Sequence, residues 1–93
     1  MNPLKQVFPV LPLDVRVRNV GGTIRVSRRD KVFELGGASS EIWRAIDGRR
    51  SVWDIGVLIG AAYDEDPGMV AADVNELVQT LAAADIVALT AAP

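Results

Sequence analysis

LGGASSEIWRAIDGRRSVWDI, residues 35–55, holds two helix starts and the stop between them. Gly36 and Gly37 end whatever element precedes them. Ser39 and Ser40 are candidate helix caps, and Glu41 places an acid where the first turn favours one. Ile42, Trp43 and Ile46 then fall on one apolar helical face. The spacing predicts a first helix over 38–47. Asp47-Gly48 stops it, with Gly48 free to take a left-handed cap. Ser51 opens a second helix over 52–63, with Asp54 three residues on as an acidic variant of the capping box. Two short helices joined by a Gly turn make the first half of a three-helix unit.

Upstream, VRVRNV (15–20) and TIRVS (23–27) alternate apolar and polar residues around Gly21-Gly22, a tight hairpin turn. Arg28-Arg29-Asp30 makes the next turn, and KVFEL (31–35) a third strand. Alternation turns Val15, Val17, Ile24, Val26, Phe33 and Leu35 toward the helices. It turns Arg16, Arg18 and Arg25 to solvent, with Val32 beside Glu34 on the outer face or at an edge. Downstream, YDEDPG supplies Asp66 as cap and Pro67 at the first position of a third helix over 67–84. Its apolar stripe is Val70, Val74, Leu77, Val78 and Leu81. Asp85 takes the left-handed cap less comfortably than glycine. Ile86 to Leu89 form an extended tail with access to the sheet. The fold class is therefore α+β: a three-stranded antiparallel sheet followed by three helices, in a winged helix-turn-helix-like arrangement.

Residues 1–14 read as an extended arm ahead of a domain spanning 15–90. Pro3, Pro9 and Pro12 oppose helix there, while Val7, Phe8, Val10 and Leu11 make the arm adhesive. It either folds back on its own core or exchanges between two copies in a homodimer. In the second helix Val52, Ile55, Leu58, Ile59 and Ala62 share a face. Trp53 falls off that face, to pack on the arm or to meet a partner.

Composition excludes several classes of function. Histidine and cysteine are both absent from the 93 residues. The chain thus lacks the commonest general base, the commonest metal ligand and any disulfide or thiolate site. There is no Gly-rich phosphate loop and no serine with a plausible base. Asp64-Glu65-Asp66 lacks calcium-loop spacing and reads as a solvated turn plus a cap. The chain reads as a non-enzyme without cofactor. No apolar run suits a membrane span and no signal peptide opens the sequence, so a cytoplasmic protein is expected. The net charge of −2 hides a split: residues 1–50 carry all ten basic side chains and five acids, residues 51–93 seven acids and no Lys or Arg. Either the two halves attract each other in the fold or the split serves partners.

The run Leu35, Ile42-Trp43, Ile46-Asp47-Gly48, Ser51-Val52 and Ile55, continuing to Tyr63-Asp64, Asp66-Pro67, Asp73 and Leu77, resembles the PqqD family over about residues 15–90. That family contains the small protein of pyrroloquinoline quinone biosynthesis, and its fold is also called the RiPP recognition element. Its pattern has Asn where Gly36 stands and Gly where Asp85 stands. The resemblance implies binding of a precursor's leader peptide, which pairs with the third strand and packs against the third helix. Carried over, the strand is Lys31, Val32, Phe33, Glu34 and Leu35, and the helix face is Val70, Asp73, Val74 and Leu77, with Thr80 near its end. Leu77 is expected to be core. Arg25, Arg28, Arg29 and Lys31 are placed to receive acidic leader residues, Asp73 and Glu76 basic ones. The implied partner is a modifying enzyme: a radical SAM enzyme in a pyrroloquinoline quinone-like pathway, or a leader protease with a cyclase in a lasso-peptide-like one. The alternative is a winged-helix DNA-binding regulator. It is disfavoured because the third helix, the natural groove reader, has no Lys or Arg and carries Asp73 and Glu76.

Overall fold

The computed structural model describes residues 2–93; Met1, the first residue of the expected arm, lies outside them. The elements in order are a 3-10 turn (Pro3–Gln6), β1 (Phe8–Val10), β2 (Arg16–Val20), β3 (Thr23–Arg28), β4 (Lys31–Leu35), α1 (Ala38–Ala45), α2 (Val52–Tyr63), α3 (Pro67–Ala83) and β5 (Ala88–Thr90). The architecture is α+β. β2, β3 and β4 form a three-stranded antiparallel sheet in that order, and the three helices follow it.

Alternation sets the faces of this sheet. Ile24, Val26 and Leu35 are buried against the helices, with Phe33 half-buried beside them. Register places Val17 opposite Val26, which is opposite Phe33, on that same inner face. Val17 is nevertheless 47% exposed, and every residue of β2 is exposed. β2 is the outer strand, and the helices do not reach under it. The pleat fixes which face a side chain takes but not how far the opposing layer extends.

The helix ends follow local chemistry. α1 starts at Gly37 rather than at a serine. Gly37 has φ 55°, a backbone that favours glycine, and no side chain caps the helix. Ser39 and Ser40 lie inside the first turn, where Ser40 Oγ donates to the Gly37 carbonyl at 2.7 Å. α1 stops at Ala45, two residues short of the expected end, because Ile46 is already extended. The Asp47 carboxylate then accepts the Arg49 and Arg50 amides at 2.9 and 2.8 Å, and these bonds hold its carboxyl below the ordinary value. Gly48, with φ 78°, serves this turn. Ser51 and Asp54 form the reciprocal capping box of α2, at 3.0 and 2.9 Å. Asp66 caps α3 by accepting the Met69 amide, ahead of Pro67.

The arm is not wholly extended. Pro3 opens the 3-10 turn, where its missing N–H costs nothing, and Asn2 Oδ1 accepts the Leu4 amide at 3.0 Å. β1 then pairs antiparallel with β5, Phe8 opposite Thr90, in a two-stranded sheet separate from the first. The tail thus pairs with the arm rather than with the main sheet. Val7 accepts the Val52 amide at 2.8 Å, and Lys5 Nζ sits 5.7 Å from the half-buried Trp53 ring. The arm therefore has its place on its own chain, and Trp53 packs beneath it.

The core joins Ile42, Trp43, Ala45 and Ile46 of α1 and its end to Val52, Ile55 and Ile59 of α2 and Val70, Val74, Val78 and Leu81 of α3. Ile86 and Val87 close it. On α2, Leu58 and Ala62 are exposed instead of buried, and Gly56 and Gly60 take the buried face. The cause is close approach. A Cβ on Gly56 would lie 2.6 Å from Ala71 Cβ, so the backbones of α2 and α3 meet there. Gly56→Ala is expected to lower stability by about 1–3 kcal/mol through overpacking. Urea denaturation measures this, and an unchanged midpoint would contradict the close crossing.

Candidate functional site

β4 is an edge of the main sheet, and α3 meets the sheet's turns at both of its ends. Contacts at both ends set their relative direction. Beyond the end of α3, Arg28, which pairs with Lys31, donates to the Asp85 carbonyl at 2.8 Å, and Arg29 lies 4.0 Å from the Asp85 carboxylate. Near the start of α3, Val70 and Asp73 line a cleft with Gly37, two residues past β4. β4 and α3 therefore run in opposite directions, with Lys31 near the end of α3 and Leu35 near its start. Phe33 at the middle of β4 and Leu77 at the middle of α3 are both half-buried and packed on the core.

The candidate residues divide by face. Lys31, Phe33 and Leu35 share the face turned to α3. Val32 and Glu34 point to the outer face, and Val32 is 57% exposed. Arg25 is on that outer face too, opposite Glu34, and its guanidinium donates to the Glu34 carboxylate at 2.6 Å. Arg28 is held in place by Asp14 at 2.8 Å and by the Asp85 carbonyl. Arg29 (φ 58°) sits exposed in the turn. On α3, Val74 is fully buried and Val70 nearly so; both hold the helix to the core. Leu77, expected in the core, is only half-buried, and Asp73, Glu76 and Thr80 are exposed. Phe33 and Leu77 are thus the half-buried apolar residues of the two elements, and Val32 is the exposed one of the β4 edge.

Past the Leu35 end of β4 lies a cleft of about 470 Å³. Gly22, Gly37, Ser40, Ile42, Ile59, Val70 and Asp73 line it, together with Glu41, Tyr63 and Glu65. The Tyr63 hydroxyl donates to the Glu41 carboxylate, and that bond raises the Tyr63 pKa. Sequence reading gave Glu41 and Glu65 only helix-start and turn roles. They meet through the packing of α2 against α1 and α3, which no spacing along the chain encodes. A second cleft, of about 420 Å³, lies at the opposite end of the sheet between Asp14, Arg16, Ser27, Arg28 and Arg29.

Among the described residues no group of three or more His, Cys, Asp or Glu could hold a metal ion. Nor is any helix there long and apolar enough to cross a membrane. Among the described residues the opposite charges of the two halves meet at one corner, where Arg29 lies 4.0 Å from the Asp85 carboxylate.

Residues 22–87 match the family model described as coenzyme PQQ synthesis protein D (PqqD). No curated protein sequence matches the chain. Among solved structures, the chain is similar to the PqqD truncation of Methylobacterium extorquens PqqCD, whose solution NMR structure is described as that of a functional and stand-alone RiPP recognition element. The identity is 27% and the TM-score 0.74, over 86% of this chain and 87% of that one. Neither match points to a DNA-binding family.

Proposed function

The chain belongs to the PqqD family, and from that premise we propose that it binds the leader segment of a ribosomally made precursor peptide and presents it to a modifying enzyme. The observation that carries this reading is the edge position of β4, with Phe33 half-buried on its inner face and Val32 exposed on its outer one. An extended peptide adds a strand to such an edge, main-chain hydrogen bonds supply affinity, and alternate side chains supply specificity. One row of peptide side chains meets Phe33 and Leu77 and the other lies beside Val32 and Glu34. The likeness to a stand-alone recognition element supports the same mode.

The chain's own contribution is then tethering. Holding the leader raises the effective concentration of the rest of the precursor at the enzyme. The enzyme is a radical SAM enzyme or a leader protease, and the meeting takes place in the cytoplasm, where precursors are made. Micromolar to nanomolar affinity, roughly −8 to −12 kcal/mol, suits a strand-sized interface with a few anchors.

The cations at the Lys31 end test the reading kinetically. Arg28 is engaged by Asp14 and Asp85, so the informative change is Arg29→Glu with Lys31→Glu. Stopped-flow association with an acidic leader at low salt is expected to slow about tenfold, with a smaller change in dissociation. Unchanged association at low salt would remove these cations from the leader's path.

A further inference from the structure

The cleft at the Leu35 end has two characters. Its floor is apolar, from Ile42, Ile59 and Val70, and it is rimmed by carboxylates from three elements: Glu41 of α1, Glu65 after α2 and Asp73 of α3. No Lys or Arg lines it. Among the described residues, Glu41 alone of the three has a side-chain hydrogen-bond partner there, the Tyr63 hydroxyl. The three acids form no metal-ligating group. Gly37, two residues past the end of β4, lines the cleft, so a strand paired with β4 that runs on past Leu35 heads toward its mouth.

Resting on the reading of β4 as a peptide-binding edge, we propose that this cleft receives a lysine or arginine side chain of the bound leader. A long cationic side chain matches both characters, its methylenes lying on Ile42, Ile59 and Val70 and its head group among the carboxylates. An apolar side chain would strip water from the acids without replacing it, and an acidic one would be repelled. The Lys31 end of β4 carries the complementary sign, from the exposed Arg29 and Lys31. A leader with a cation at one end of its pairing segment and an acid at the other is therefore held in one direction only.

The test is a selection of displayed random dodecapeptides on the full chain, counter-selected against Val32→Asp, followed by affinity measurements of the enriched sequences. Enriched peptides are expected to share a Lys or Arg at one fixed position relative to their β-forming segment. Replacing that residue by norleucine, or replacing Glu65 and Asp73 together by Gln and Asn, each weakens binding about five- to tenfold at low salt. Combining the two adds no further loss. Peptides that depend on Val32 but carry no fixed cation, or that bind E65Q/D73N unchanged, overturn the inference and leave strand addition standing. A selection that returns no Val32-dependent peptide overturns both.

Discussion

Replacing Trp43 with alanine is expected to remove most of the molecule's stability. Trp43 is 5% exposed on the face of α1 that also buries Ile42 and Ala45. Truncating a large buried aromatic costs about 3–5 kcal/mol through lost transfer energy and the cavity left behind. Domains of this size have a total stability toward the lower end of about 5–15 kcal/mol. The variant is expected to lose most of its unfolding transition in urea, or to shift its midpoint far down. A loss of unfolding free energy below about 1 kcal/mol would mean that Trp43 does not anchor α1. The other tryptophan, Trp53, is no substitute, since it packs half-buried under the N-terminal turn.

Val32→Asp is the reverse case, a large effect on binding with almost none on folding. Val32 is 57% exposed and points away from the helices. Its ladder neighbour is Ser27, which pairs in turn with Arg16. A surface substitution of this kind changes stability within about 0.5 kcal/mol. A strand added to β4 sets its own side chains beside Val32, where a carboxylate loses water and gains no partner. The cost of about 1–3 kcal/mol corresponds to roughly a ten- to hundredfold weaker complex. Denaturation and titration of the same sample separate the two quantities. Binding within about twofold of the parent chain would mean that the leader does not use this edge.

Much of this was legible in the residues, and the remainder was not for definable reasons. Alternation in β3 and β4 is local and strict, so the pattern alone places Ile24, Val26 and Leu35 on the buried face. The Ser51–Asp54 box and the Asp66-Pro67 start are written within one turn of their helices. α2 is different. Valine, leucine, isoleucine and alanine run almost all round it, so periodicity could not tell Ile55 from Leu58. The choice came from Gly56 against Ala71, a contact between distant parts of the chain. On α3, Val74 and Leu77 lie on one apolar stripe, and the rotation of the helix buries Val74 fully and Leu77 only in part. The β4 edge was legible as an element. The acidic cleft at its end was not, because Glu41, Glu65 and Asp73 converge only after three helices have packed.

The most direct test of leader binding is an NMR titration of the labelled chain with two ligands, a synthetic leader from a neighbouring precursor gene and a short DNA duplex. The account predicts shifts along residues 31–35 and at Asp73, Leu77 and Thr80 with the leader, and none with the duplex. Salt-sensitive shifts around Arg16, Arg18, Arg25 and Arg49 with the duplex, and silence with the leader, would contradict it.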